Sequence, residues 1–377
     1  MGPGIEIEAR AAGLYLPALD LYLDPQRDVP RAFISHAHGD HIAAHRSGLV
    51  LASRETLGLI EARRGERGPG AQALEWGDAV DLPVSGGAPS AKAARLSIAP
   101  AGHILGAAQL VVDLPGGRLV YTGDYRTGPG ATHATGAPVA CDVLVLESTF
   151  ALPMFRFPDR ALTRAALVDW CAARLAAGET PVVVSYALGK SQDLVHALLA
   201  RGLPVIAHGA VYKMCAAYEA LGVPLGVADG RLRAYADEKA RAKLGAVLMA
   251  PPRSHPMYKK RKDARVAYAS GWALIDAAVE QQRADVAFVL SDHADFDDLM
   301  ATARATGARH VYTTHGDAAV LAALLRRDGI AATPLELPSL DQSEEQGHAE
   351  DQGSGEAQGD DPSEAGARSD EGSEARA

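Results

Sequence analysis

The sequence predicts an α/β protein whose strands carry reactive side chains at their tips, and three observations lead there. Apolar strand runs end repeatedly on imidazoles or acids: "AFIS" is followed by His36, "LVYTG" by Asp124, "AFVLS" leads to His293 and "HVYTT" to His315, while "VLVLE" ends on Glu147. "CDVLVLEST" is a continuous apolar run, as a strand covered on both faces requires. From about Asp159 onward, runs with helical spacing alternate with short strand runs, which implies parallel crossovers.

The elements follow in order. "RAFIS" and "GLVLAS" are strands, and a helix starts near Glu55. "RLSIAPAG" and "AQLVVDL" flank "GHILG", which places His103 just after a strand. "LPGGRLVYTGD" carries a Gly116-Gly117 hairpin signal. Next come the helix "DRALTRAALVDWCAARLAAGE", the strand "PVVVSY", the helix "GKSQDLVHALLARG" and the strand "LPVIAHG". More helix precedes the runs "GAVLMAPP" and "RVAYASGW". From about Asp285 the chain reads strand, loop, helix, strand, loop, and "AAVLAALLRRDG" is the last helix. In α/β sheets the carboxyl edge is where binding groups converge, and five or six strand tips deliver them here.

Composition narrows the class. Of 377 residues, 47% are hydrophobic, enough for a well-buried core. The sequence has no long uncharged apolar run of the kind a membrane span needs, and the amino terminus lacks the basic start and apolar core of a secretory signal. Cys141, Cys171 and Cys215 are far apart and suit reduced core cysteines of a cytoplasmic protein. The formal charge of −10 belongs to the tail, where twelve acids and two bases follow Leu340; residues 1–340 hold 35 of each sign. This Gly/Ser/Gln/Glu-rich tail has too little apolar surface to offset its ordering entropy, so disorder is expected over 338–377. Its plain role is solubility; the alternative is mimicry of nucleic acid.

"SHAHGDHIAAH", Ser35 to His45, poses the chemical question. Buried polar groups cost about 1–3 kcal/mol each when unpaired, so such density needs a partner. His36 and His38 can aim at one ion, and Asp40 and His41 at a neighbouring one. Imidazole and carboxylate without cysteine suit zinc, and also manganese or iron. A pair of ions makes a hydrolytic site; the plainer alternative is one closed zinc stapling the fold, for which there are too many ligands.

HxHxDH, then "AGHILGAAQ" and "YTGDYR", resemble successive motifs of the metallo-β-lactamase superfamily. "LESTF", "SDHAD" and "THGD" resemble the further motifs of its β-CASP nuclease branch, which includes mRNA 3′-end cleavage factors and a group of DNA nucleases. "ALGKSQDL" and "ASGWA" fit the bacterial DNA-ligase-associated exonucleases, also labelled mRNA 3′-end processing factor-like. The resemblance spans roughly residues 5–335. It implies a four-layer αββα fold over 1–155 and 285–337, interrupted by a compact α/β β-CASP insert at 156–284. It further implies two zinc ions, with manganese an alternative. One would lie on His36, His38 and His103, the other on Asp40, His41 and His315, with Asp124 bridging. Asp40 would be catalytic as well as ligating. Water activated between the ions would attack phosphorus in line, and His293, oriented by Glu147, would help protonate the leaving oxygen.

"RSHPMYKKRKDAR" adds a basic strip in the insert, with Lys259, Lys260, Arg261 and Lys262 as candidate nucleic-acid contacts and Tyr258 interleaved. A solvated helix face explains the strip as well. Arg126 is a second candidate, two residues past Asp124. The expected function is two-metal hydrolysis of nucleic acid, as a DNA exonuclease of a repair pathway. The expected partner is DNA, with a single strand as one form of it, or RNA, and family analogy suggests an ATP-dependent DNA ligase and a helicase as protein partners. The rivals are an RNA-processing nuclease and a small-molecule metallo-hydrolase.

Overall fold

The computed structural model describes residues 5–85, 93–238 and 244–336. The tail expected from 338 onward lies outside the described residues. The described chain is a mixed α/β structure with three sheets.

The first sheet runs in chain order: β1 (Glu8–Arg10), β2 (Gly13–Leu16), β3 (Leu21–Leu23), β4 (Arg31–Phe33), β5 (Leu49–Ser53) and β6 (Ala71–Leu74). It begins as an antiparallel hairpin and becomes parallel from β3 to β6. The second sheet holds β7 (Ala79–Leu82), β8 (Ala94–Pro100), β9 (Ala108–Leu114), β10 (Gly117–Tyr121) and β11 (Val143–Glu147). Gly117, at φ 138, opens β10 opposite Leu114 and closes the hairpin marked by Gly116-Gly117. The third sheet is wholly parallel: β12 (Thr180–Val184), β13 (Val205–Ala207), β14 (Leu232–Ala234), β15 (Val247–Ala250), β16 (Ala264–Ser270) and β17 (Val286–Val289). The chain then returns to the second sheet with β18 (His310–Thr314), beside β11, and β19 (Ala332–Pro334).

Burial follows the apolar pattern. Leu14, Leu21, Phe33 and Leu51 of the first sheet share one apolar cluster with Leu96, Leu110, Leu119 and Val145 of the second, so these two faces pack together. On the outer faces, Leu57 and Ile60 of helix Arg54–Arg64 cover the first sheet, while Leu299, Leu321 and Leu325 cover the second. That first helix starts properly because the Ser53 hydroxyl accepts from Thr56 N, and it stops at Gly65 in the left-handed region.

The third sheet sits against this body through close approaches. A Cβ on Gly58 would lie 2.8 Å from Leu221, and one on Gly189 2.4 Å from Ile104 of "GHILG". The Tyr218 hydroxyl accepts from Leu105 N at 3.3 Å. The carboxyl edge of β12 is thereby pressed onto the loop that carries His103.

Two expectations change in place. The return to the second sheet does not start at 285: β17 pairs with Ala267–Ser270 and belongs to the third sheet. An apolar run says that a strand is covered, not which sheet covers it. The basic strip, in turn, precedes β16, whose first residue, Ala264, pairs with Thr180, the first of β12. Lys259, Lys260, Arg261 and Lys262 therefore lie at the amino edge of the third sheet. The metal-loving cluster lies at the carboxyl edge, roughly 17 Å away by strand length. Replacing Lys259, Lys260 and Lys262 with Glu should weaken binding of long strands and flatten its salt dependence, and hardly affect a tetranucleotide. Equal weakening of both, measured by fluorescence anisotropy, would contradict the placement.

Candidate metal centre

The side chains singled out by the strand-tip pattern converge on one place. β8, β10, β11 and β18 point the same way in the second sheet, so Asp124, Glu147, His315 and the His103 loop leave it at one edge. The loop after β4 reaches the same edge from the first sheet. His36 Nε2 and His38 Nδ1 are 2.9 Å apart, and His103 Nε2 is 3.0 Å from His38 Nδ1. Asp124 Oδ2 lies 3.3 Å from His36 Nε2 and 3.6 Å from His103 Nε2. In a tetrahedral zinc site with N and O ligands the ligand atoms stand about 3.3 Å apart. The four groups present fit such an ion.

A second group stands on the other side of Asp124. His41 Nε2 is 3.7 Å from both Asp124 Oδ2 and Asp40 Oδ2. The His315 ring lies 5.4 Å from that of His41, and its buried Nε2 has no hydrogen-bond partner among the described residues. A buried, unpaired ring nitrogen needs something to bind, and a cation is what the surrounding carboxylates favour. His315 is held in the left-handed region at φ 58, with the Ser148 hydroxyl donating to its carbonyl and to that of Thr314. Asp40 is the open member of the set, its side chain 69% exposed.

Hydrogen bonding ties one nitrogen of each remaining ring and leaves the other facing Asp124. His36 Nδ1 donates to Ser35 Oγ, His38 Nε2 to Leu188 O, His103 Nδ1 to Asp292 O and His41 Nδ1 to Asp24 Oδ2. Such outer partners fix the tautomer a ligand needs. Burial, aided by the His36 imidazole, pushes His38 down to about 3 and keeps its lone pair free. Burial and the neighbouring His293 hold His103 well below its ordinary range. Burial alone would raise the Asp124 carboxyl, but His41, His293 and His36 outweigh it and keep the group ionised. His41 is driven the other way: burial lowers it, and Asp124, Asp24 and Asp40 more than offset that.

His293 stands over this centre. Its Nδ1 donates to both Glu147 oxygens, at 3.0 and 3.2 Å, and its Nε2 lies 3.8 Å from Asp124 Oδ2. Burial would lower His293, yet Glu147 and Asp124 together carry it up to about 9. Glu147 is fully buried and also accepts from Tyr125 N at 2.5 Å. Arg126 is not on the surface. It is 5% exposed and donates to Thr127 O and His133 Nε2, and burial pushes it down to about 10. Beside it, Asp292 takes Arg160 at 3.2 Å and the buried Lys190 at 3.4 Å.

Asp24 was not singled out by the sequence, although "LYLD" obeys the same rule of an acid at a strand tip. It is 3% exposed and accepts from Ser35 N, Ser35 Oγ, Tyr121 Oη and His41 Nδ1, all within 2.9 Å. Asp24→Asn should weaken uptake of the ion near His41 by about 10–100-fold in chelator competition. Unchanged affinity would deny Asp24 that role.

No family model matches the chain. A protein of Opitutus terrae named "Probable DNA ligase" is 33% identical over 323 residues, which is 85% of this chain and 30% of that protein. An "RNase J-like protein" of Methanocaldococcus jannaschii is 30% identical over 97 residues, 25% of this chain and 23% of its own length. "Cleavage and polyadenylation specificity factor subunit 3-I" of Arabidopsis thaliana is 33% identical over 97 residues, 25% of this chain and 14% of its own length. The matches thus take in less than a third of these relatives. With the convergent His and Asp groups, these matches fit the resemblance to the β-CASP branch of the metallo-β-lactamase superfamily.

Proposed function

We propose that the chain is a two-metal phosphodiesterase acting on nucleic acid, and that it digests DNA from an end in a repair pathway shared with a ligase. One observation carries the reading: two sets of ligand atoms meet at Asp124, and His293 Nε2 stands 3.8 Å from that carboxylate. His36, His38 and His103 would hold one cation and Asp40, His41 and His315 the other, with Asp124 between them. When bound, such a pair lowers the pKa of water toward about 7 and draws charge from a phosphate ester.

The chain's own groups do the rest. Asp40, open to solvent, marks the side from which water and the scissile phosphate would reach the pocket. His293 Nε2 presents a proton to the departing oxygen, and Glu147 holds that ring through Nδ1 and stabilises its charged form. Ser148 and Asp24 keep His315 and His41 in register. We also assign a four-layer αββα arrangement to the first two sheets and their covering helices, on the strength of the two apolar clusters.

DNA is preferred because the relative matched along 85% of this chain bears the name of a DNA ligase. That one polypeptide combines the ligase name with this stretch supports a shared pathway. RNA is the second reading, favoured by relatives named for RNA processing, including endoribonucleases. Zinc- or manganese-loaded protein should shorten an end-labelled single DNA strand progressively and leave the matched RNA largely intact. Cleavage of RNA alone would replace the first reading with the second. Hydrolysis of thioesters with none of either polynucleotide would point to a small-molecule hydrolase.

A further inference from the structure

Three large aromatic side chains are exposed among the described residues, Trp76, Tyr186 and Trp272, and two of them follow strands of the third sheet whose carboxyl ends lie toward the metal centre. Tyr186 follows β12 and Trp272 follows β16. These strands are parallel neighbours, with Val184 paired to Tyr268, so both side chains leave the carboxyl edge of the third sheet. Two residues beyond Tyr186, Leu188 O receives the hydrogen bond of His38. Trp272 rests on Phe150 at 4.9 Å and Phe155 at 5.5 Å, and Phe150 meets the His293 ring at 5.9 Å. Tyr186 therefore flanks the centre on the His38 side and Trp272 on the His293 side, 40% and 38% exposed. The exposed Arg253 follows β15 at the same edge, and the exposed Met154 and Leu274 extend the apolar rim.

We propose that Tyr186 and Trp272 are stacking platforms for unpaired bases on the two sides of the scissile phosphate, so that the site takes single-stranded nucleic acid by its bases as well as its backbone. The proposal rests on the phosphodiesterase reading above and sharpens its substrate class. Every base has a face that an indole or phenol can cover, so the contact tolerates any sequence. A base inside a duplex already has both faces covered, so these platforms serve only a strand whose bases are splayed. The indole is fixed from behind by Phe150 and Phe155, which lowers the entropy lost when a base settles on it. Of the exposed groups, these aromatics lie at the reactive edge; Lys259, Lys260 and Lys262 lie at the other.

The test compares a normal DNA decamer with the same decamer made abasic at its central positions, which keeps the phosphates and removes the faces to be stacked. Metal-loaded wild-type protein should bind a phosphorothioate form of the normal strand at least about tenfold more tightly than the abasic one. Tyr186→Ala and Trp272→Ala should each shrink that preference several-fold, in affinity and in kcat/KM, and Trp272→Phe should largely restore it. Equal affinity of the wild-type protein for the two strands would overturn the proposal. So would alanine variants that lose equally on both strands, because a merely structural role at Phe150 acts without regard to bases. The binding comparison needs no turnover: a protein that discriminates the strands but cleaves neither would refute the phosphodiesterase reading and keep the stacking assignment.

Discussion

Asp124→Ala should leave the protein with fewer than one tightly held cation per chain and lower phosphodiester hydrolysis by at least about 10³-fold, the equivalent of several kcal/mol of lost charge stabilisation. The expectation follows from position. Asp124 Oδ2 lies 3.3 Å from His36, 3.6 Å from His103 and 3.7 Å from His41, so it reaches both ligand sets. The imidazoles of His41 and His293, both driven up beside it, also depend on its negative charge for compensation. Asp124→Asn keeps the volume and separates loss of charge from loss of packing. Metal content after dialysis, with circular dichroism as the check on folding, reads the result directly. Two ions per chain retained in both variants would deny Asp124 its place between them.

His293→Ala should act differently. The expected loss is about 10²–10⁴-fold in kcat, with metal content and KM little changed, because the side chain supplies a proton and no ligand atom. Glu147→Gln should lower kcat less, since it weakens the orientation and charging of His293 without removing the ring. A substrate with a p-nitrophenolate leaving group needs little protonation, so the deficit of His293→Ala should largely vanish on it. If the deficit is the same with good and poor leaving groups, His293 is not the proton donor. Loss of a metal ion in the same variant would make it a ligand instead.

Much of this centre was legible in the sequence because the rule behind it is local. A strand tip is visible as an apolar run followed by a polar residue, and it needs no knowledge of which strands are neighbours. Thus His36, His103, Asp124, Glu147 and His315 could be singled out one by one, and the shared direction of β8, β10, β11 and β18 then brings their tips to one edge. Asp24 escaped because Asp24-Pro25 after Leu21–Leu23 has the composition of an ordinary turn, with no histidine beside it. Ser148 lay within "LESTF", but its hold on His315 depends on β11 and β18 being neighbours, which is a fact of topology.

The same limit explains what moved. Val286–Val289 is apolar enough for either sheet, and its pairing with β16 was settled by tertiary contacts that no local pattern records. The basic strip was conspicuous by charge alone. Its distance from the centre depends on strand direction, which fixes whether a loop sits at the amino or the carboxyl edge. Tyr186 and Trp272 carry the opposite lesson: single aromatics at strand ends look ordinary until adjacent strands set both beside the centre.

Cation stoichiometry tests the central claim most directly. Chelator-stripped protein titrated with zinc by calorimetry should take up two equivalents per chain, and the Asp40→Ala, His41→Ala double variant should take up one. A single equivalent in the unaltered protein, or two still bound tightly by the double variant, would contradict a pair of cations meeting at Asp124.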